Sequence, residues 1–269
     1  MSYEFRVEKR ELSCEGRVVS AFLPAGKRTA SAVVIYGHGQ ALGVDSYEAT
    51  LTHLAGKGVV ALHPMYDRGF FDQDWSRMGR DFVELADCAL AQLAVPFEPE
   101  AVIFSGHSKG AYVAAVAAGL SFLDDASLKP AAVMLFQPAG LDANAWKNLA
   151  PSVRLTVTHS EQDRIVARSI AEELYALAPV EKKQLITLRD YRSAERVLLA
   201  SDHFWPTTKR TLVGGRAPGA HHYYGSWRWL VAQAQDLLDG NRAENEHLFG
   251  ELALDKGTQT QRDEAVRNW

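Results

Sequence analysis

The chain has 269 residues, 47% hydrophobic and 23% charged, which suits one large α/β domain or two small ones and excludes a disordered or fibrous protein. Its formal net charge of −4, without any Lys/Arg cluster, gives no electrostatic case for a nucleic-acid partner. The charged start MSYEFRVEKR lacks the apolar stretch of a secretory signal, and no apolar run is long enough for a membrane span. Cytoplasmic residence is therefore the expectation, with a processed secreted form left open. Cys14 and Cys88 allow at most one bridge; Cys88 falls in the apolar pattern of a helix, so a buried free thiol is expected.

In chain order, two β-prone pieces divided by Glu15-Gly16 (RVEKREL and RVVSAFL) read as an antiparallel hairpin. SAVVIYGHG is an unbroken apolar run closed by glycines, the look of a strand buried on both faces. The spacing of Leu51, Leu54 and Ala55 predicts a helix over 47–57, and VVALHPMY (59–66) is the next strand. Met78, Phe82, Leu85, Ala89 and Leu93 share one face of a long helix over 75–94. AVIFSGH (101–107) reads as a strand and KGAYVAAVAAGLSF as a helix of small residues. Strands follow at 131–137, 153–159 and 183–191, with helices at 170–178 and 223–238. KQLITLRDY and RVLLAS are two apolar pieces where one strand would do, so a strand extension or extra hairpin lies between them.

This alternation predicts a mainly parallel, doubly wound sheet, led by the N-terminal antiparallel hairpin. No linker interrupts it before Gly240, so residues 1–240 read as one domain and 241–269 as a C-terminal extension, a docked helix or a loose tail.

Gly106-His107-Ser108-Lys109-Gly110 is a G-x-S-x-G motif between an apolar strand and a small-residue helix. A serine used as a nucleophile needs such a tight, strained turn to lift its Oγ above the sheet edge, and the glycines let strand and helix nearly touch. It also needs a base, and the base an orienting carboxylate, with chain order serine, acid, histidine. Asp163, in the turn after VRLTVTH, is the first choice for the acid, with Glu161 and Asp190 as rivals. His203, between RVLLAS and FWP, is the first choice for the base, with His221 and His222 as rivals. An oxyanion intermediate needs two N–H donors; the candidates are the backbones of Lys109 and of Gln40, in the glycine-bearing loop after IYGHG. No H-x-x-x-H or H-E-x-x-H spacing points to a metal, and no glycine-rich phosphate loop points to a nucleotide cofactor.

With IYGHGQ (35–40), SGHSKGAY (105–112), HSEQDRIV (159–166) and SDHFWP (201–206), the chain resembles the α/β-hydrolase superfamily over nearly all of residues 5–240. It looks most similar to the compact, lidless esterases: dienelactone-hydrolase-like, chlorophyllase-like and cutinase- or polyesterase-like. The resemblance implies an α/β-hydrolase fold and an acyl-enzyme mechanism without a cofactor, carried by Ser108, Asp163 and His203. It also implies a small-molecule or polymeric ester as substrate, and leaves a homo-oligomer open. Dienelactone hydrolases use cysteine where this chain has Ser108, and secreted cutinase-like enzymes carry signals and disulfides not evident here.

Only residues 137–152 separate the two strands between which many relatives insert a cap, so no cap domain is expected. Phe70, Phe71 and Trp205, with Phe204, Trp146 and the elbow residue His107, are the candidates for substrate contacts; packing of loop against core is the alternative for the aromatics. Three functional classes remain: a carboxylic-ester hydrolase; a thioesterase, amidase or C–C hydrolase or lyase on the same scaffold; and a non-catalytic ligand-binding relative.

Overall fold

A computed structural model describes residues 3–69, 71–140, 146–192, 197–199, 201–211 and 214–239. Phe70 and the extension at 241–269 lie outside the described residues. The chain opens with the expected hairpin, β1 (Arg6–Cys14) and β2 (Arg17–Ala25), in which Cys14 faces Arg17 across a two-residue loop. Glu15 and Gly16 both take positive φ (51° and 74°), the backbone whose twist suits a two-residue hairpin.

From there strands and helices alternate. β3 (Ser31–Gly37) leads to α1 (Glu48–Gly56), β4 (Val60–Pro64) to α2 (Trp75–Leu93), and β5 (Phe97–His107) to α3 (Lys109–Leu123). β6 (Ala132–Phe136), β7 (Arg154–Ser160), α4 (Arg168–Leu177) and β8 (Lys182–Leu188) follow. β9 (Tyr191–Arg192) and β10 (Val197–Leu199) form a separate antiparallel pair, where the two apolar pieces had left a strand extension or an extra hairpin open. The last helix departs from expectation at its start. Residues Tyr223–Trp227 form a π-helical turn before α5 (Arg228–Leu238), and there Gly225 lies against the Trp205 indole, where a Cβ would sit 2.1 Å from Nε1.

The eight-stranded sheet has the order β1-β2-β4-β3-β5-β6-β7-β8. β2 runs antiparallel to both neighbours, and every pair from β4 to β8 is parallel. Alternation along the strands splits the core in two. Val33, Ile35, Val102 and Phe104 join α2, α3 and α4 on one face, while Val34, Tyr36, Ile103 and Met134 join α1 and α5 on the other. Covering both faces explains why the central strands read as continuous apolar runs. The carboxyl ends of β3 to β8 therefore share one edge, and Gln40, Ser108 and Asp163 directly follow three of those strands.

Polar links brace this frame. The Arg154 guanidinium at the start of β7 pairs with Asp236 of α5, both almost fully buried. Asp81 on α2 receives Arg17 from β2 at 2.5 Å and Arg77 from its own helix.

The cysteines correct the sequence reading: Cys14 and Cys88 are bonded, not free. Cys14 ends β1 where the hairpin packs on α2, bringing the two Cα atoms to 6.0 Å, within bridging range. The amphipathic pattern that suggested a buried thiol is present, but the surface it meets is the other cysteine's strand. Thiol titration of the unreduced, denatured protein should find no free cysteine; two reactive thiols would contradict the pairing. Because the bond spans 74 residues, Cys88→Ser should cost about 2–4 kcal/mol in denaturant unfolding.

Candidate active site

Ser108 lies between β5 and α3 with φ 56° and ψ −121°, a conformation that a residue with a side chain adopts only when its surroundings enforce it. Three glycines supply the enforcement. Gly37 and Gly106 are paired neighbours on β3 and β5, and Gly110 in the first turn of α3 lies on both. A Cβ on Gly106 would come within 2.5 Å of the Gly110 carbonyl oxygen, and one on Gly110 within 2.2 Å of the Gly37 carbonyl carbon. The helix thus starts hard against the sheet, and the chain must turn sharply at Ser108. The turn is pinned further by the Ser108 N–H, which donates to the Phe136 carbonyl at 2.9 Å.

The expected residues from three loops form one hydrogen-bonded row. Ser108 Oγ lies 2.9 Å from His203 Nε2, and His203 Nδ1 lies 2.7 Å from Asp163 Oδ2. With the Asp163 carboxylate accepting from Nδ1–H, Nε2 is the ring nitrogen left to accept the serine proton. Asp163 Oδ1 accepts from the Ile165 and Val166 N–H groups at 2.8 and 2.9 Å, so the carboxylate is fixed before it meets the imidazole. Burial pushes the Asp163 carboxyl upward, but His203 and those two N–H groups outweigh it and hold the carboxyl below its ordinary value.

The rivals are occupied elsewhere. Asp190 Oδ1 accepts from the Ser201 N–H and hydroxyl at 2.8 and 3.2 Å, anchoring the start of the His203 loop, while the Glu161 side chain is exposed. His222 donates from Nε2 to the Thr207 carbonyl at 2.8 Å and accepts from the Gly219 N–H at 3.2 Å. The His221 ring lies tilted beside it, with ring centroids 3.8 Å apart. The His203 loop also bridges its neighbours: Gln162 N–H donates to the Ser201 carbonyl at 3.0 Å, and Thr208 N–H to the Ser46 carbonyl at 2.7 Å.

Gln40 occupies the turn closed by Leu42 N–H donating to the Gly39 carbonyl at 3.1 Å, with Ala41 at φ 60°. Lys109 opens α3, where a backbone N–H has no partner within the helix. Its ammonium is buried and lies 3.5 Å from Asp67 Oδ2, and Asp67 Oδ1 lies 3.9 Å from His38 Nε2.

Three expected substrate contacts do not reach the cleft. Trp205 is fully buried in the core on the α1 and α5 face. His107, also fully buried, spends both ring nitrogens on protein partners, Tyr47 and the His203 carbonyl. Trp146 likewise packs inside, donating to the Leu174 carbonyl at 2.7 Å. Phe71, by contrast, is 84% exposed. It stands on the 67–74 loop, which Arg77 holds through Asp72 and the Tyr66 carbonyl. Tyr47, missed by the sequence reading, was visible there only as the residue opening a helical pattern. Among the described residues, no group of three or more His, Cys, Asp or Glu is gathered to hold a metal ion.

No family model matches the chain, and no curated protein does. Among solved structures it is similar to an esterase of the fungus Rhizomucor miehei, with a TM-score of 0.62 over 90% of this chain and 86% of that one, at 14% identity. Likeness at that identity speaks to the fold, and together with the strand order it defines this chain as an α/β-hydrolase fold. No helix among the described residues is long and apolar enough to cross a membrane.

The buried histidines set a pH dependence. Burial pushes His63 and His107 down to about 3 and His222 to about 4. In the unfolded chain each takes a proton near pH 6.5, so below that pH the unfolded state binds more protons than the folded one. Each such histidine then removes roughly 1.4 kcal/mol of stability per pH unit as the pH falls toward its folded value. Asp163, held below its ordinary value, adds to the loss only below about pH 4. Thermal melts should therefore fall steeply from pH 7 to pH 5; a level Tm across that range would contradict neutral burial of these rings.

Proposed function

We propose that the protein is a serine hydrolase that cleaves carboxylic esters through an acyl-enzyme intermediate. The observation that carries this reading is the row Asp163–His203–Ser108, with hydrogen-bond distances of 2.7 and 2.9 Å and the serine on a strained elbow. In the proposed reaction Ser108 Oγ attacks the ester carbonyl while His203 Nε2 takes its proton, and Asp163 stabilises the imidazolium that results. The oxyanion receives the backbone N–H groups of Lys109 and Gln40, the first of them favoured by the amino-terminal end of α3. Collapse expels the alcohol, protonated by His203. Water, activated by the same imidazole, then releases the acid. No cofactor enters any step.

Only residues 137–153 lie between β6 and β7, which leaves no length for a cap domain and favours an open cleft. Phe71, displayed on its braced loop, supports an apolar contact for the acyl or alcohol part of the ester. We read residues 1–240 as the hydrolase domain and a small-molecule or polymeric ester as its substrate. The Cys14–Cys88 bond favours an oxidising compartment over the cytoplasmic residence expected from the sequence.

The test is hydrolysis of short and medium p-nitrophenyl esters. Wild type should turn over, and Ser108→Ala should be inert while melting as wild type does. His203→Ala should lower kcat by about 10³-fold or more, with His222→Ala far milder. Near-wild-type hydrolysis by Ser108→Ala would sink the assignment.

A further inference from the structure

A buried polar thread, beside the Thr208–Ser46 contact, ties the loop after β3 to the loop that carries the base. The Gly39 N–H donates to the Tyr47 hydroxyl at 2.9 Å. That hydroxyl donates to His107 Nδ1 at 2.9 Å, and His107 Nε2–H donates to the His203 carbonyl at 2.8 Å. Both ends fix the protons between them. A main-chain N–H can only donate and a carbonyl can only accept, so the tyrosine hydrogen must point at Nδ1 and the ring must carry its hydrogen on Nε2. Tyr47 and His107 are both fully buried, so a lost member would leave its neighbours without a partner.

We propose that Tyr47 and His107 are positioning residues: their hydrogen bonds set the turn bearing Gln40 and the backbone of His203 at a fixed separation around Ser108. This inference rests on the hydrolase reading above. β5 then delivers two functions from consecutive residues. Ser108 turns out into the cleft, while His107 turns inward and struts the two loops that must converge on the serine. The closeness of the thread explains Gly39, where a Cβ would lie 3.1 Å from the Tyr47 hydroxyl and 3.2 Å from His107 Nδ1. The ring must stay neutral for Nδ1 to accept, and burial keeps it so, pushing His107 down to about 3. Both hold the backbone of groups that react, and the His107 ring also lies tilted against the His203 ring, with centroids 4.9 Å apart.

A merely structural network would lower the melting temperature of its variants and leave the folded protein's attack rate unchanged. The experiment compares the full-length wild type with Tyr47→Phe, His107→Phe and His107→Gln. It reads the rate of covalent labelling by a fluorophosphonate, at a temperature well below each variant's own melt, with adducts counted by intact mass. Tyr47→Phe and His107→Phe should be labelled about 10- to 100-fold more slowly, the penalty for a small misplacement of reacting groups. His107→Gln, whose amide offers an acceptor and a donor to the same two partners, should stay within about 5-fold of wild type. Tyr47→Phe removes one oxygen and keeps the ring, so the test survives a failure of His107→Phe to fold. Labelling of folded Tyr47→Phe or His107→Phe at the wild-type rate overturns the inference, as does a His107→Gln rate as slow as that of His107→Phe. Wild type that takes no label at all overturns the hydrolase reading and this inference together, which separates the two failures.

Discussion

Gly37, Gly106 and Gly110 meet where β3, β5 and α3 converge, and the rest of the site depends on that contact. A helix carrying any Cβ at Gly110 would be driven into the Gly37 backbone, since only 2.2 Å separates them. With the glycines in place, the chain has no room to relax between strand and helix, and Ser108 is held at φ 56°. Such strain costs of order 1–3 kcal/mol, and the packed small-residue helix behind it offsets the cost. α3 is buried on every side from Lys109 to Ser121, so the elbow cannot drift without opening the core.

Around this fixed point the sheet sorts the remaining groups by topology. The parallel strands β3 to β8 end at one edge, so acid, base and oxyanion loop approach the serine from different strands without any crossing of the chain. Each loop is tied down by main-chain groups: Asp163 by the N–H groups after it, the start of the His203 loop by Asp190, and its far end by Ser46. Precision comes from these local bonds, while the sheet supplies only the approximate meeting place.

Much of this was legible in the sequence, and the misses have physical reasons. The central strands declared themselves because burial on both faces demands unbroken apolar runs, and the elbow because its G-x-S-x-G falls between an apolar strand and a small-residue helix. His203 could not be separated from His221 and His222 by pattern. His203 sits among turns and His221 and His222 in the short helical turn before the last helix, where the pattern does not say which ring reaches the serine. Trp205 was expected in the cleft for the same reason: a wall of a pocket and a wall of the core want the same side chain, and its full burial is decided by α5 and α1, far from it in sequence. The Cys14–Cys88 bond and the Tyr47–His107 strut share a cause. Each joins residues 60 or more positions apart, and only the packing of the finished sheet brings them together.

The central claim is that one serine, and no other, is activated by its place in this frame. Peptide mapping by tandem mass spectrometry after fluorophosphonate treatment tests it most directly. The account predicts a single adduct per chain, on Ser108. An adduct on another residue, such as the fully buried Ser105 or Ser160, or none at all, would contradict it.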